Sequence, residues 1–161
     1  MGWLALDVAV VARCPPAIAS VLIADHKSSV NNFDNKGEYT LHKAAATGSV
    51  ELLKLLIDHG ADVNCVNNTN HSPIELCVCN QFHDCVQCLL QSGADPLIFD
   101  KKGRSTLSFS VYFNDLQTTK MLIDKINSLS ATKASTRRKL PSTFLTPLHI
   151  AARHGDLNMA K

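Results

Sequence analysis

The sequence predicts an all-α solenoid of stacked helix–turn–helix units, and three observations support this prediction. The segment 37–64 matches the segment 70–97 after a shift of 33 residues, so that a Gly-Ala-Asp triplet falls on its counterpart. Within each period, two short runs place apolar residues at the spacing of an α-helix. A polar residue before a probable turn recurs at the same interval: Asp34, Asn67 and Asp100. One such helix pair cannot cover its own apolar surface, whereas neighbours stacked at a fixed period can.

Each unit is predicted to hold two helices, whose starts and ends carry local signals. Thr146 is a suitable N-cap, and Pro147 suits the first helical position, where its missing N–H is no loss. Gly48 is placed to end the first helix. The run 50–57 then has apolar residues at helical spacing, and Gly60 ends this second helix because glycine accepts a positive φ.

The chain is predicted to form a single domain, 1–161, in which the units follow one another. The first unit matches the period weakly, and the last begins late, since its start lies 41 rather than 33 residues after its counterpart. The predicted parts are a degenerate first repeat at about 1–33, repeats at 34–66 and 67–99, a degenerate repeat at 100–126, an inserted basic loop at 127–142 and a truncated last repeat at 143–161.

Two motifs resemble the ankyrin repeat family. Residues 146–151 read TPLHIA, which matches the family's T-P-L-H-x-A signature, and residues 60–64 read GADVN, which matches its loop signature. The resemblance implies a stack whose hairpin tips and first-helix faces form a concave surface that binds a partner protein. It therefore implies an adaptor or scaffold that recognises proteins.

The third and fourth units depart from the family pattern. Glu75 stands where the family has its signature histidine, and Gln81 where it has a glycine. The fourth unit has Ser108 at the histidine position and Asn114 at the glycine position. We therefore expect the fourth unit to be the least stable. His42 keeps the signature and is expected to form hydrogen bonds between adjacent units.

The resemblance, carried over residue by residue, predicts which side chains face a partner. First-helix positions are expected to form parallel rows, and the tips are expected to contribute cations. The partner-binding residues predicted in this way are Lys43, Leu76, Lys101, Lys102, Arg104, Phe109, Tyr112, Phe113 and Arg153. Exposed aromatic side chains rimmed by cations are typical of a protein-binding hot spot. The alternative is that the degenerate fourth unit has shifted register and its rings pack inward.

A cysteine–histidine cluster in the third unit is the one feature that resembles a metal site. Cys85 and Cys88 have a spacing compatible with zinc. They fall on leucine positions of the preceding unit, however, and Cys77 falls on Ala44, so the period predicts core cysteines and no metal. Cys79 is expected to face outward. A cysteine-based zinc-binding or redox-responsive module is the alternative function.

Composition and the remaining motifs argue against several function classes. The sequence has no glycine-rich phosphate loop, nucleophile elbow or paired carboxylates, so we expect no enzyme, no catalytic residues and no cofactor. A net charge of +2 and a basic stretch without aromatic residues do not predict nucleic-acid binding. No apolar run is long enough to cross a membrane. Six cysteines without a secreted-type framework favour the cytoplasm or the nucleus.

Two features near the C-terminus lead to further expectations. The segment 127–142 is rich in serine and threonine and carries four cations, which predicts an exposed connector. A nuclear-import, kinase-recognition or anion-binding stretch is the alternative. The chain ends at a position that corresponds to the inside of a second helix, without a polar capping repeat. We therefore expect it to be part of a larger polypeptide.

Overall fold

The computed structural model describes residues 5–25 and 30–132, and these residues form eight α-helices and no named strand. The helices occur in four successive pairs, which confirms the predicted all-α repeat fold. In chain order they are α1 (Ala5–Val11), α2 (Pro16–Asp25), α3 (Thr40–Thr47), α4 (Val50–Asp58), α5 (Pro73–Cys79), α6 (His83–Gln91), α7 (Thr106–Tyr112) and α8 (Leu116–Thr132). None of these helices is long and apolar enough to cross a lipid bilayer.

The helices pack in two layers. The first helices of the four pairs, α1, α3, α5 and α7, contact one another in that order, and so do the second helices, α2, α4, α6 and α8. Leu56, Leu89 and Leu122 occupy equivalent positions in successive second helices, and all three are fully buried in one continuous core. Burial of each such side chain contributes roughly 1.5–3 kcal/mol. Because each pair completes the core of the next, neighbouring repeats stabilise one another.

The turn after each first helix keeps its geometry even where its glycine is replaced. Gly48 follows α3 with a φ of 74°, in the left-handed region. Gln81 and Asn114, at the same position of the next two units, have φ values of 58° and 54°. The left-handed turn is therefore set by the fold, and the two side chains bear its steric cost. Asparagine tolerates this conformation better than glutamine does.

Each hairpin tip is held by the polar residue that precedes it. The Oδ1 atom of Asp34 accepts hydrogen bonds from backbone N–H groups two and four residues further along the chain, at 2.9 and 3.0 Å. Asn67 and Asp100 accept the same two bonds in their own tips. In two tips the flanking residues form isolated antiparallel β-bridges: Phe33 with Tyr39, and Phe99 with Ser105. The predicted short hairpin tips are thus confirmed.

Side chains at signature positions also connect neighbouring repeats. The buried ring of His42 lies with its Nε2 2.9 Å from the carbonyl oxygen of His71 in the next unit. The side chain of Asn64 donates to the carbonyl oxygen of Gly93 at 3.3 Å and accepts from the backbone N–H of Asp95 at 2.8 Å. The structural role predicted for His42 is confirmed, because its ring satisfies a backbone carbonyl across a repeat boundary.

The last described helix is longer than the sequence predicts. An inserted loop is expected from residue 127, but α8 continues to Thr132. This expected boundary is wrong because the segment 127–132 contains neither glycine nor proline, and Leu129 within it is still half-buried. The remainder of the predicted loop, and the predicted last repeat at 143–161, lie outside the described residues.

Candidate interaction surface

The outer side of the first-helix layer presents side chains that recur at the repeat period. Ala46 and Tyr112 are exposed, and Cys79 between them is half-buried. Each comes from the last turn of its helix, and Asn80 and Phe113, which directly follow two of those helices, are exposed beside them. These five residues are called the first-helix face below. They form a surface that is mostly nonpolar and crosses three repeats.

Two aromatic rings dominate the end of the first-helix face. Tyr112 is 56% exposed and Phe113 is 36% exposed. The two rings are 5.2 Å apart and meet edge to face at 89°. This geometry is favourable for aromatic pairs, so the rings hold one another in place on the surface. The expectation that these two side chains are exposed agrees with the structure.

Phe109, the third ring of the predicted cluster, is not exposed. Its side chain is buried, because the guanidinium of Arg104 lies 4.6 Å from its centroid and the ring of His71 lies 6.0 Å away. The expectation of an outward-facing Phe109 is therefore wrong, and the alternative of inward packing holds for this ring. Arg104 is also committed, since its Nε and Nη2 atoms lie 2.8 and 2.7 Å from Oδ2 of Asp100.

Lys43 is buried as well, which corrects its predicted exposure. Its Nζ atom lies 3.0 Å from Oδ2 of Asp7 and 3.2 Å from Oδ2 of Asp34. Burial alone would raise the pKa of Asp34, but backbone hydrogen bonds and the ammonium of Lys43 together hold that pKa below its usual value. Two carboxylates from neighbouring elements thus draw the lysine inward, because a buried charge requires partners.

The remaining predicted residues differ in accessibility. Leu76 is half-buried beside the core, whereas Lys101 and Lys102 are exposed at the tip of the fourth unit. The backbone N–H of Lys101 donates to the carbonyl oxygen of Thr69 at 3.3 Å, which fastens this tip to the preceding one. Arg153 lies outside the described residues. Lys101, Lys102 and the two exposed rings therefore belong to the same repeat, at the tip before α7 and at the end of α7.

Glu75 has an electrostatic environment that sequence reasoning does not predict. It is fully buried at the position that His42 holds in the preceding unit. Its Oε2 accepts a 3.1 Å hydrogen bond from the backbone N–H of Ser72 and lies 3.1 Å from Nδ1 of His71, while Oε1 has no hydrogen-bond partner among the described residues. Burial raises the pKa of Glu75 to about 8, although the hydrogen bond from Ser72 opposes the rise. The replaced signature histidine is the only sequence signal for this site.

Three of the four cysteines of the third unit are core residues, as the period predicts. Cys77, Cys85 and Cys88 are buried, and Cys79 is half-buried. A hydrogen bond with Cys85, together with burial, raises the pKa of Cys77. A protonated buried thiol is a poor nucleophile and a poor metal ligand. Within residues 5–25 and 30–132, no group of three or more His, Cys, Asp or Glu side chains is arranged to hold a metal ion.

One exposed aromatic side chain is absent from the predicted set. Phe33 is 63% exposed beside the first described tip, and its ring centroid lies 5.4 Å from that of Tyr39. The period offers a signal for it, because Phe99 occupies the equivalent position beside the tip of the fourth unit. Phe33 extends the accessible aromatic surface to the other end of the described tips.

Comparison with known proteins identifies the architecture. A family model described as ankyrin repeats in three copies matches residues 6–100, and a model of a single ankyrin repeat matches residues 144–161. The chain belongs to the ankyrin repeat family. The family resemblance carried by the TPLHIA and GADVN motifs is therefore confirmed.

Several curated ankyrin-repeat proteins are similar to part of this chain. BCL-6 corepressor-like protein 1 of Homo sapiens is 33% identical over 81 residues, which cover 50% of this chain and 4% of that protein. Rabankyrin-5 of Homo sapiens is 33% identical over 122 residues, which cover 68% of this chain and 10% of that protein. E3 ubiquitin-protein ligase XB3 of Oryza sativa subsp. japonica is 36% identical over 84 residues, 52% of this chain and 19% of that protein. The chain thus spans a small part of the length of these relatives.

Proposed function

We propose that this ankyrin-repeat chain is a non-catalytic adaptor or scaffold module that binds a partner protein on its concave side. Ankyrin repeats are protein-interaction modules. The finer question is which surface of the repeats binds the partner protein. The first-helix face, together with the hairpin tips, is the surface that holds the partner. The module works as one part of a larger polypeptide, a view supported by relatives that are several times longer than this chain.

The observation that carries the proposal is the mostly nonpolar row at Ala46, Cys79 and Tyr112, which hold equivalent positions in successive repeats. Three repeats place accessible side chains at the same position, while the side chains one turn earlier in these helices are buried or half-buried. A protein partner gains most from such a surface because it can cover several repeats at once and exclude water from the exposed rings. In the second-helix layer, the exposed side chains of α4 and α6 are charged or polar, which is typical of a solvated face.

Site-specific photocrosslinking tests this assignment. A benzoylphenylalanine side chain is introduced at Ala46 on α3 in one variant and at Lys54 on α4 in another; both positions are exposed. In the native cell, the Ala46 variant should form a discrete covalent adduct with a protein, identified by mass spectrometry, and the Lys54 variant should not. Equal thermal unfolding of the two variants serves as the folding control. Adducts formed only from Lys54 would assign binding to the second-helix layer and refute the proposal.

A further inference from the structure

We propose that the fourth described unit binds a short acidic segment that also carries an apolar side chain, an inference that rests on the proposed function. The binding residues are Lys101 and Lys102 at the tip and Tyr112 and Phe113 at the end of α7. These four residues are called the tip–ring patch below. The tip holds the acidic groups of the segment, and the rings hold its apolar side chain.

The cationic end of the tip–ring patch is displayed on a fixed backbone. The N–H of Lys102 donates to Oδ1 of Asp100 at 2.9 Å, and the N–H of Lys101 donates to the preceding tip. Both lysine side chains are exposed, and neither ammonium forms an ion pair with a carboxylate of the described residues. The nearby carboxylate of Asp100 is occupied by Arg104, so the two lysines leave a local excess of positive charge.

The apolar end is built from the edge-to-face pair of Tyr112 and Phe113. Between the two ends, Phe109 is covered by the guanidinium of Arg104, whose charge is already balanced by Asp100. Phe109 and Arg104 therefore neither attract nor repel the backbone of a bound segment strongly. Affinity and selectivity come from the two ends, and the distance between them sets the spacing that a ligand must match.

The spacing includes the length of α7 and the segment that precedes it. The helix spans seven residues, Thr106–Tyr112, and is roughly 10 Å long at a rise of about 1.5 Å per residue. Lys102 lies four residues before its start, so the connecting segment adds up to about 13 Å if it is extended. An extended peptide advances about 3.3 Å per residue, so acidic and apolar side chains separated by about three to six residues cover this range.

Charge distribution favours an acidic polypeptide over a nucleic acid. The adjacent tip presents Asn68 and Thr69, which are exposed and uncharged, so the cations form a local cluster and not a track along the tips. A nucleic-acid strand carries a phosphate at every nucleotide and requires a longer basic path. A basic or neutral peptide gains nothing at Lys101 and Lys102. A short stretch of Asp or Glu, by contrast, matches a cluster of two lysines.

Fluorescence anisotropy with designed peptides tests the proposal. The probes are labelled peptides in which two glutamates are separated from one leucine by about three to six Ser or Gly residues. The peptide of matching spacing should bind the full chain, and its Kd should rise about tenfold in the Lys101→Ser/Lys102→Ser variant, as expected for the loss of two exposed ion pairs. Binding should also weaken as ionic strength increases, because exposed charges are screened. Tyr112→Ser should weaken binding at every ionic strength.

Matched controls separate this proposal from general charge effects and from the proposed function. The Lys54→Ser/Lys120→Ser variant removes the same charge from exposed positions of the second-helix layer and should leave the Kd unchanged. An equal loss in both double variants, or equal binding of a peptide with lysines in place of the glutamates, would overturn the proposal. Tighter binding of a labelled single-stranded oligonucleotide at the same residues would assign the patch to nucleic acid. If the Ala46 variant forms a photoadduct and any of these results is also obtained, the proposed function stands and only the proposal of an acidic ligand is refuted.

Discussion

Replacement of Glu75 by glutamine should make the protein more stable near neutral pH. The carboxyl group is fully buried, and its Oε1 has no hydrogen-bond partner within the described part of the chain. Glutamine has the same shape, its carbonyl oxygen can accept the hydrogen bond from the backbone N–H of Ser72, and it cannot ionise. Near neutral pH the Glu75→Gln variant therefore avoids the free-energy cost of taking up a proton on folding, while it keeps the local packing.

The magnitude follows from the pKa of Glu75, which rises from 4.5 to about 8 on folding. A group with a raised pKa binds its proton more tightly in the folded state. Its contribution is thus fully present below pH 4.5 and is lost as the pH rises towards 8. Each pH unit in this window costs about 1.4 kcal/mol, so wild type loses about 3 kcal/mol between pH 4.5 and neutral pH through this residue alone.

Urea unfolding followed by circular dichroism measures the effect. The free energy of unfolding of Glu75→Gln minus that of wild type should grow by about 3 kcal/mol from pH 4.5 to neutral pH. Asp34 and Asp100 have lowered pKa values, so their contribution to the free energy of unfolding is lost only as the pH falls below their pKa in the unfolded chain. This contribution is common to both proteins and cancels in the difference. Glu51→Gln, at an exposed residue, is the control and should show a much smaller pH dependence. A constant difference across this range would refute the reasoning.

Three further predictions concern the turn, the buried lysine and the thiols. Gln81→Gly should stabilise the protein by about 1 kcal/mol, because glycine accepts a φ of 58°. Gln87→Gly, inside α6, should destabilise it by about the same amount. Chemical denaturation should therefore show changes of opposite sign in the free energy of unfolding. Lys43→Met should cost about 3–5 kcal/mol, because it leaves two buried carboxylates without their cation, and exposed Lys54→Met should change stability by less than about 0.5 kcal/mol. In native protein, a thiol reagent should modify only the two half-buried cysteines, Cys14 and Cys79. Rapid modification of the buried cysteines, or zinc that co-purifies with the protein, would favour the alternative cysteine-based function. The cysteines expected to react only after denaturation are Cys65, Cys77, Cys85 and Cys88.

The repeat period predicts most of the fold because equivalent positions of successive repeats are buried in the same way. Leu56, Leu89 and Leu122 recur at a fixed interval, and each occupies the same place between the layers. The end of α8 is less predictable. Serine- and threonine-rich composition indicates a loop, yet a helix that already packs on a core continues until a residue stops it. The segment 127–132 contains no glycine or proline that would end the helix. The absence of a helix-breaking residue predicts continuation of the helix less strongly than a pattern that favours a helix would.

The candidate site is only partly predictable, because the period assigns positions while the neighbouring tips decide exposure. Lys43, Leu76 and Phe109 hold equivalent positions that the family resemblance places outward. Lys43 is drawn inward by carboxylates that lie 36 and 9 residues earlier in the chain, and Phe109 is closed over by Arg104. Neither contact is visible in a comparison of equivalent positions, since Asp7 and Arg104 have no counterpart of the same type in the other described repeats. The accessible surface therefore lies one turn further along the first helices, in the last turn and the residue that follows. This displacement explains why Tyr112 and Phe113 stay exposed although Phe109, in the same helix as Tyr112, is buried.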